Sequence, residues 1–153
     1  MEIRRAVKKD FSQIKKLFLE SQEYESTLDK NLVVNVSTEK TVHRLIEEIF
    51  KNPERRLFVA KDNGEIAGYV WATFCPGMET GGWIADVYVC EPFRRRGIGS
   101  KLTMSAFDWM KQRGATKVSL TAYKNDKGAL SFYRKLKFES EPPKFVNFFK
   151  KTK

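Results

Sequence analysis

The chain has a single histidine and only two cysteines, and that scarcity removes several kinds of chemistry at once. His43 stands between Val42 and Arg44 in a helical pattern, the setting of a solvated helix residue. His-based triads and metal centres are therefore not expected. Cys75 adjoins Pro76, Cys90 precedes Glu91-Pro92, and the two lack CxxC spacing, so both read as reduced thiols, not as a disulfide framework or a zinc knuckle. No stretch approaches the ~20 apolar residues of a membrane span. The start, Met1-Glu2-Ile3-Arg4-Arg5, leads into a strand-like segment and not a signal peptide, which makes the cytoplasm the expected location.

What is present describes an ordinary globular protein. The 153 residues are 41% hydrophobic and 31% charged, with twelve Phe, enough for one domain spanning 1–153 with its own core. The formal charge of +10 suits phosphates, nucleic acid, anionic surfaces or acidic substrates. Basic residues run from Lys8 to Lys153 with acidic ones between them, so a solvated basic surface accounts for the charge equally well. The local exception is Arg94-Arg95-Arg96.

Periodicity divides the chain. Ile3 to Val7 suits a short strand, followed by Asp10 as the cap of a helix carrying Phe11, Ile14, Leu17 and Phe18 on one face and ended by the polar run Ser21 to Asp29. Ser37 or Thr38 is expected to cap a second helix with Val42, Leu45, Ile46 and Ile49 at helical spacing, stopped by Asn52-Pro53. Leu57 to Lys61 and Ile66 to Phe74 alternate like strands about an Asn63-Gly64 turn, and Trp83 to Cys90 is an apolar strand interrupted by Asp86. A third helix is predicted from Gly99 to about Arg113 with Gly114 as C-cap, then a strand over Lys117 to Ala122. A fourth helix is predicted to open at Asn125, and a final strand to cover Phe145 to Phe149. Together these predict a mixed sheet covered by helices, of α/β or α+β class.

The sharpest chemical signal is Arg94-Arg95-Arg96-Gly97-Ile98-Gly99, placed between a strand and a helix. Glycines let backbone approach a phosphate, and a helix start aims free N–H groups outward, so a diphosphate would fit. It is neither the dinucleotide fingerprint nor a Walker A motif. A tight turn in which Gly97 and Gly99 relieve crowding is the structural alternative.

The run from Val89 to Leu102, with Phe93, Arg94, Gly97, Ile98 and Gly99 at set positions, resembles the acetyl-coenzyme A motif of the GNAT superfamily of N-acetyltransferases. Asn125 to Phe138, with Ala129 and Tyr133 at family spacing, resembles a second block of that superfamily, except that Lys137 stands where glycine is usual and the turn after the helix is expected to differ. The likeness extends from Ile3 to Phe149. It implies a mostly antiparallel sheet splayed between its fourth and fifth strands, with acetyl-CoA as cosubstrate in the cleft and no metal.

By the same resemblance, amides from Arg95 through Arg96, Gly97, Ile98 and Gly99 to Ser100 hold the pyrophosphate while Arg94 positions or screens it. Asn125, at the opening of the helix that carries Tyr133, is expected with Tyr133 among the cofactor-binding residues, the Val89 amide holds the thioester oxygen, and Tyr133 protonates the departing thiolate. Periodicity alone makes Tyr133 a core aromatic beside Leu130 and Leu136. Asp86, on the strand face of Tyr88, is the candidate to receive the amine proton, or else a cleft aspartate that recognises a cationic substrate. Glu20, Glu23, Tyr24, Glu25 and Asp29 fall in the region that helps build the acceptor site in such folds.

The expected reaction is direct acetyl transfer in a ternary complex to a small polyamine-like amine. A peptide or protein N-terminal α-amine is the alternative acceptor, and a noncatalytic CoA-binding sensor the alternative class. Trp71, Trp83 and Tyr123 come with no zinc-finger, helix-turn-helix or RNA-sheet signature, so nucleic acid is not an expected partner, nor is a membrane. The sequence leaves room for a homodimer without fixing the oligomeric state.

Overall fold

The computed structural model describes residues 1–77, 81–141, 148 and 150–152. The chain divides into two compact units, Met1–Thr121 and Ala122–Lys153. The first holds β1 (Glu2–Arg5), α1 (Phe11–Leu28), α2 (Val36–Lys51), β2 (Arg55–Asp62), β3 (Glu65–Cys75), β4 (Gly81–Val89), α3 (Ile98–Gln112) and β5 (Lys117–Ser119). The second holds α4 (Lys127–Lys135). The expected strand over Phe145 to Phe149 lies outside the described residues apart from Phe148, which is exposed. No helix among the described residues is long and apolar enough to cross a membrane.

The five strands lie in sequence order, antiparallel from β1 to β4 and parallel between β4 and β5. Leu57 and Val59 of β2 and Tyr69 of β3 pack on Ile14, Leu17 and Phe18 of α1 and Val42, Ile46 and Ile49 of α2. Strand alternation turns the buried Ala60, Val70, Ala72 and Ile84 to the opposite face, where α3 supplies Ile98, Leu102, Ala106 and Met110. The sheet is thus sandwiched between α1 and α2 on one side and α3 on the other.

Three local features depart from expectation. α1 continues seven residues past Ser21, because Gln22, Glu23 and Glu25 are competent helix formers and polarity is not itself a stop. The Ser26 and Thr27 hydroxyls bond back to the carbonyls of Glu23 and Tyr24, both at 2.6 Å. Asp10 does not cap α1 with its side chain; it is 2% exposed and takes a bidentate pair from Arg4 at 2.7 and 2.9 Å and the Val7 amide at 2.9 Å. These donors, Arg4 foremost, outweigh burial and hold the Asp10 carboxyl below its ordinary range. α2 is capped by Asn35, not by Ser37 or Thr38: Asn35 Oδ1 accepts from the amides of both, and Thr38 closes the reciprocal box by accepting from Asn35 N–H at 3.1 Å.

Candidate active site

The parallel pairing of β4 with β5 covers only Gly81, Gly82 and Trp83, against Lys117, Val118 and Ser119. β4 runs on to Val89, so from Ile84 onward its outer edge has no partner strand among the described residues. Cys90 N–H donates back to Ala67 of β3 at 2.9 Å. Alternation along an antiparallel strand therefore turns the Val89 amide to the other side, toward the open edge.

The start of α3 adjoins this edge. A 3₁₀ turn over Glu91–Phe93 ends β4, and the chain reaches α3 through left-handed φ values of +63° at Arg95 and +75° at Gly97. A Cβ at Gly97 would meet nothing within 4 Å, so glycine serves the backbone angle here and relieves no crowding. The first helical bond is Lys101 N–H to Gly97 O, which leaves the amides of Ile98, Gly99 and Ser100 in the first turn of α3 without an intrahelical acceptor, directed outward. Such a loop and helix start present outward amides of the kind that bind anions.

The three arginines differ in their engagements. Arg96 pairs with Asp62 at 3.2 Å and lies over the Phe93 ring. Arg94 donates from Nε to Val89 O at 2.8 Å, and its guanidinium carbon lies 5.8 Å from the Tyr24 ring centroid and 5.6 Å from that of Tyr88. Arg94 thereby ties the loop before α3 to both β4 and α1. Arg95 is exposed.

On the α1 side of β4 the side chains carry the site. Trp71 pairs with Asp86 and Ala72 with Ile84, so Ala85 is an extra residue that bulges β4. Simple alternation would put Asp86 with Ile84 on the α3 face; the bulge turns it, and Tyr88 after it, to the α1 face. Asp86 Oδ2 accepts from the Tyr69 hydroxyl through a short bond and from Ser21 Oγ at 3.2 Å. Tyr69 is fully buried and stacks on Phe18 with ring centroids 4.2 Å apart.

Asp86 keeps some accessible surface, yet its removal from water raises its carboxyl above the ordinary aspartate range, against the lowering effect of Tyr69, Ser21 and the Val87 amide. Burial and the Asp86 charge push Tyr69 well above its ordinary value, so Tyr69 stays protonated and donates. Glu25 is raised too, by burial first and then by Asp86. The Asp86 charge thus adds to burial in disfavouring ionisation of Glu25 at this junction.

α1 brings these groups together because Ser21 and Glu25 continue the stripe of Ile14, Leu17 and Phe18. Glu20 accepts from the Tyr88 hydroxyl at 3.5 Å. Glu23 is exposed and, two residues from Ser21, points to the far side of α1, and Asp29 caps the helix end. Tyr69 and Ser21 escaped the sequence reading. For Ser21 a signal existed in the stripe; for Tyr69 none did, because its meeting with Asp86 depends on the register of β3 with β4.

In the second unit, Asp126 and not Asn125 caps α4, accepting from Ala129 N–H at 2.9 Å. Tyr133 is half-buried, with Phe132 and Phe138 at ring distances of 5.0 and 5.8 Å. Lys137 N–H bonds to Arg134 O and Phe138 N–H to Tyr133 O, both at 3.0 Å, which is a Schellman motif with Lys137 at φ +67°. The turn is therefore made as a glycine would make it, contrary to the expectation from Lys137.

Residues 13–138 match the model of the acetyltransferase (GNAT) family. The chain belongs to that family. A GNAT-family relative, N-alpha-acetyltransferase 30 of Schizosaccharomyces pombe, is 36% identical over 86 residues, which cover 53% of this chain and 55% of that protein. The matched region spans about half the length of such curated relatives. Among solved structures, a transcriptional regulator from Bacillus halodurans C-125 superposes with a TM-score of 0.79 at 27% identity, covering 97% of this chain and 99% of the other. An aminoglycoside N-acetyltransferase in complex with CoA superposes with a TM-score of 0.73 at 18% identity over 98% of each chain, a likeness of fold. The GNAT fold accounts for the mixed sheet and its opening between β4 and β5.

Proposed function

We propose that this chain transfers acetyl from acetyl-CoA to a primary amine by direct attack within a ternary complex. The observation that carries the reading is the edge of β4 that has no partner strand from Ile84 onward among the described residues, with the Val89 amide turned toward it and the start of α3 adjoining it. In this reading the amides from Arg95 to Ser100 hold the diphosphate, and the Val89 amide polarises the thioester carbonyl as charge develops on its oxygen. The amine nitrogen bonds to the carbonyl carbon, the carbon–sulfur bond breaks, and Tyr133 gives its hydroxyl proton to the thiolate. The proton lost by the amine goes to Asp86, directly or through water.

The acceptor proposed is a small polyamine-like cation, on the strength of Asp86 and Glu25 at the α1–β4 junction. The second reading, an N-terminal α-amine, is favoured by the likeness to an N-alpha-acetyltransferase. It also needs less help in losing a proton, since an α-amine has a reference pKa of about 8 against about 10 for an alkyl amine. Thiol release by the purified protein is the test, with spermidine, lysine-containing peptides and free-N-terminal peptides, each also with Tyr133→Phe. Turnover of spermidine above the peptides and a fall of about tenfold or more in kcat for Tyr133→Phe are expected. No turnover of any amine would leave a CoA-binding protein without catalysis, and faster turnover of the N-terminal peptides would favour the second reading.

A further inference from the structure

Tyr69 and Asp86 are diagonal neighbours across the β3–β4 ladder, in which Tyr69 faces Tyr88 and Asp86 faces Trp71. A long aromatic side chain spans that diagonal, and the Tyr69 hydroxyl reaches the Asp86 carboxylate. The Tyr69 ring is fully buried and lies on Phe18 with 14° between the planes, so core packing fixes where its hydroxyl points. Ser21, itself buried, follows Phe18 by three residues on the same face of α1. Both hydroxyls donate to one oxygen, Asp86 Oδ2, Tyr69 through a short bond and Ser21 at 3.2 Å. Oδ1 receives no side-chain donor among the described residues.

Packing alone does not ask for this arrangement. A phenylalanine would fill the same space and stack on Phe18 as well; tyrosine adds a donor aimed at a carboxylate. The charged and titratable groups nearby give that carboxylate no cationic partner. Glu25 of α1 is like-charged, and Tyr88 and Cys90 follow Asp86 along β4. The Tyr88 hydroxyl turns to Glu20 at 3.5 Å, and Arg94 lies over the Tyr88 ring without pairing with Asp86. Burial therefore works against ionisation of Asp86, and neutral hydroxyls work for it, with the Val87 amide adding to them. A cation in their place would bind the carboxylate as an ion pair and make it a weaker base.

We infer that Tyr69 and Ser21 are positioning residues for acetyl transfer, which hold Asp86 by Oδ2 and present Oδ1 to the amine. The inference rests on the reading of Asp86 as the proton acceptor. In that step the proton leaves the ammonium nitrogen for Oδ1, directly or through water, and the nitrogen keeps the electron pair that attacks the carbonyl carbon. Tyr69 keeps its own proton, because burial and the Asp86 charge push its hydroxyl well above the ordinary range.

The test follows the Asp86 carboxyl carbon by NMR titration of the full chain labelled at aspartate, its signal assigned by its absence from Asp86→Asn. The two donors favour the ionised form, so removing either raises the carboxyl. Tyr69→Phe, which keeps the Phe18 stack, should raise the midpoint by about one pH unit or more, and Ser21→Ala by less, since its bond is the longer. The acid limb of kcat/KM, measured with the amine that turns over fastest, should rise with it. A Tyr69 that served packing alone would change stability and leave both midpoints in place. An unmoved Asp86 midpoint in Tyr69→Phe, or in Ser21→Ala should Tyr69→Phe not fold, would overturn the inference. An acid limb that persists in Asp86→Asn would overturn the base role on which it rests. The NMR midpoint needs no turnover, and so separates the two failures.

Discussion

The two walls beside the open edge of β4 are made of different materials. At the α3 start the offered groups are main-chain amides, set by left-handed angles at Arg95 and Gly97 within one short run. At the α1 junction they are side chains from three elements: Ser21 and Glu25 of α1, Tyr69 of β3 and Asp86 of β4. A backbone site tolerates almost any side chain that leaves its angles and approach free, and fails when one does not. A side-chain site fails by degrees, group by group, and its specificity is correspondingly open to change.

The largest effect should come from closing the backbone wall. Gly99 lies in the first turn of α3, where an aspartate is favourable to the helix itself, so Gly99→Asp should fold. Its Cβ and carboxylate would occupy and repel the proposed diphosphate, and acetyl-CoA affinity should fall about 100-fold or more. Calorimetry on the folded variant decides it: unchanged affinity removes the diphosphate from the α3 start.

This difference in material also explains what could be read in advance. The Arg94 to Gly99 run was legible because an amide cradle is encoded locally, by glycine at Gly97 and by a helix starting just after it. The same holds for the Asn63-Gly64 hairpin between β2 and β3. Asp86 was legible as a polar break in an apolar strand, but its face was not: the bulge at Ala85 sets it, and nothing in Trp83 to Cys90 announces a bulge. The length of α1 was hidden because Ser21 to Leu28 is polar where it meets solvent and where it meets Asp86 alike. Contacts that depend on register, such as Tyr69 with Asp86, have no local signature.

A smaller effect tests the side-chain wall. Asp86→Asn removes the charge but keeps a group able to accept from Tyr69 and Ser21, and kcat/KM for spermidine should fall about 10- to 100-fold. Rates with free-N-terminal peptides should change less. Stability should respond in the opposite sense. The Asp86 carboxyl titrates higher in the folded protein than its ordinary 3.8, so the native state holds the extra proton and the group's contribution declines as pH rises from that value through the raised one. The variant should show no such decline, and melting from pH 4 to 8 measures it. Parallel pH curves for the two proteins, or an unchanged spermidine rate, would remove Asp86 from the acceptor site.

The smallest effect concerns the two helix ends that share one motif. α3 ends in the same Schellman pair as α4, with Gly114 N–H bonded to Lys111 O and Ala115 N–H to Met110 O, both at 3.0 Å. Gly114 holds φ +96° without a Cβ, while Lys137 holds φ +67° with one. The left-handed angle costs a non-glycine residue about 1–2 kcal/mol, part of which glycine returns through the greater freedom of its unfolded chain. Lys137→Gly should therefore stabilise α4 by about 0.5–1 kcal/mol. The Tyr133 carbonyl accepts the Phe138 amide that closes this motif, so exchange of the Phe138 amide should slow while kcat stays unchanged. Faster exchange at Phe138 would mean that the Lys137 side chain contributes more to this helix end than its backbone angle costs.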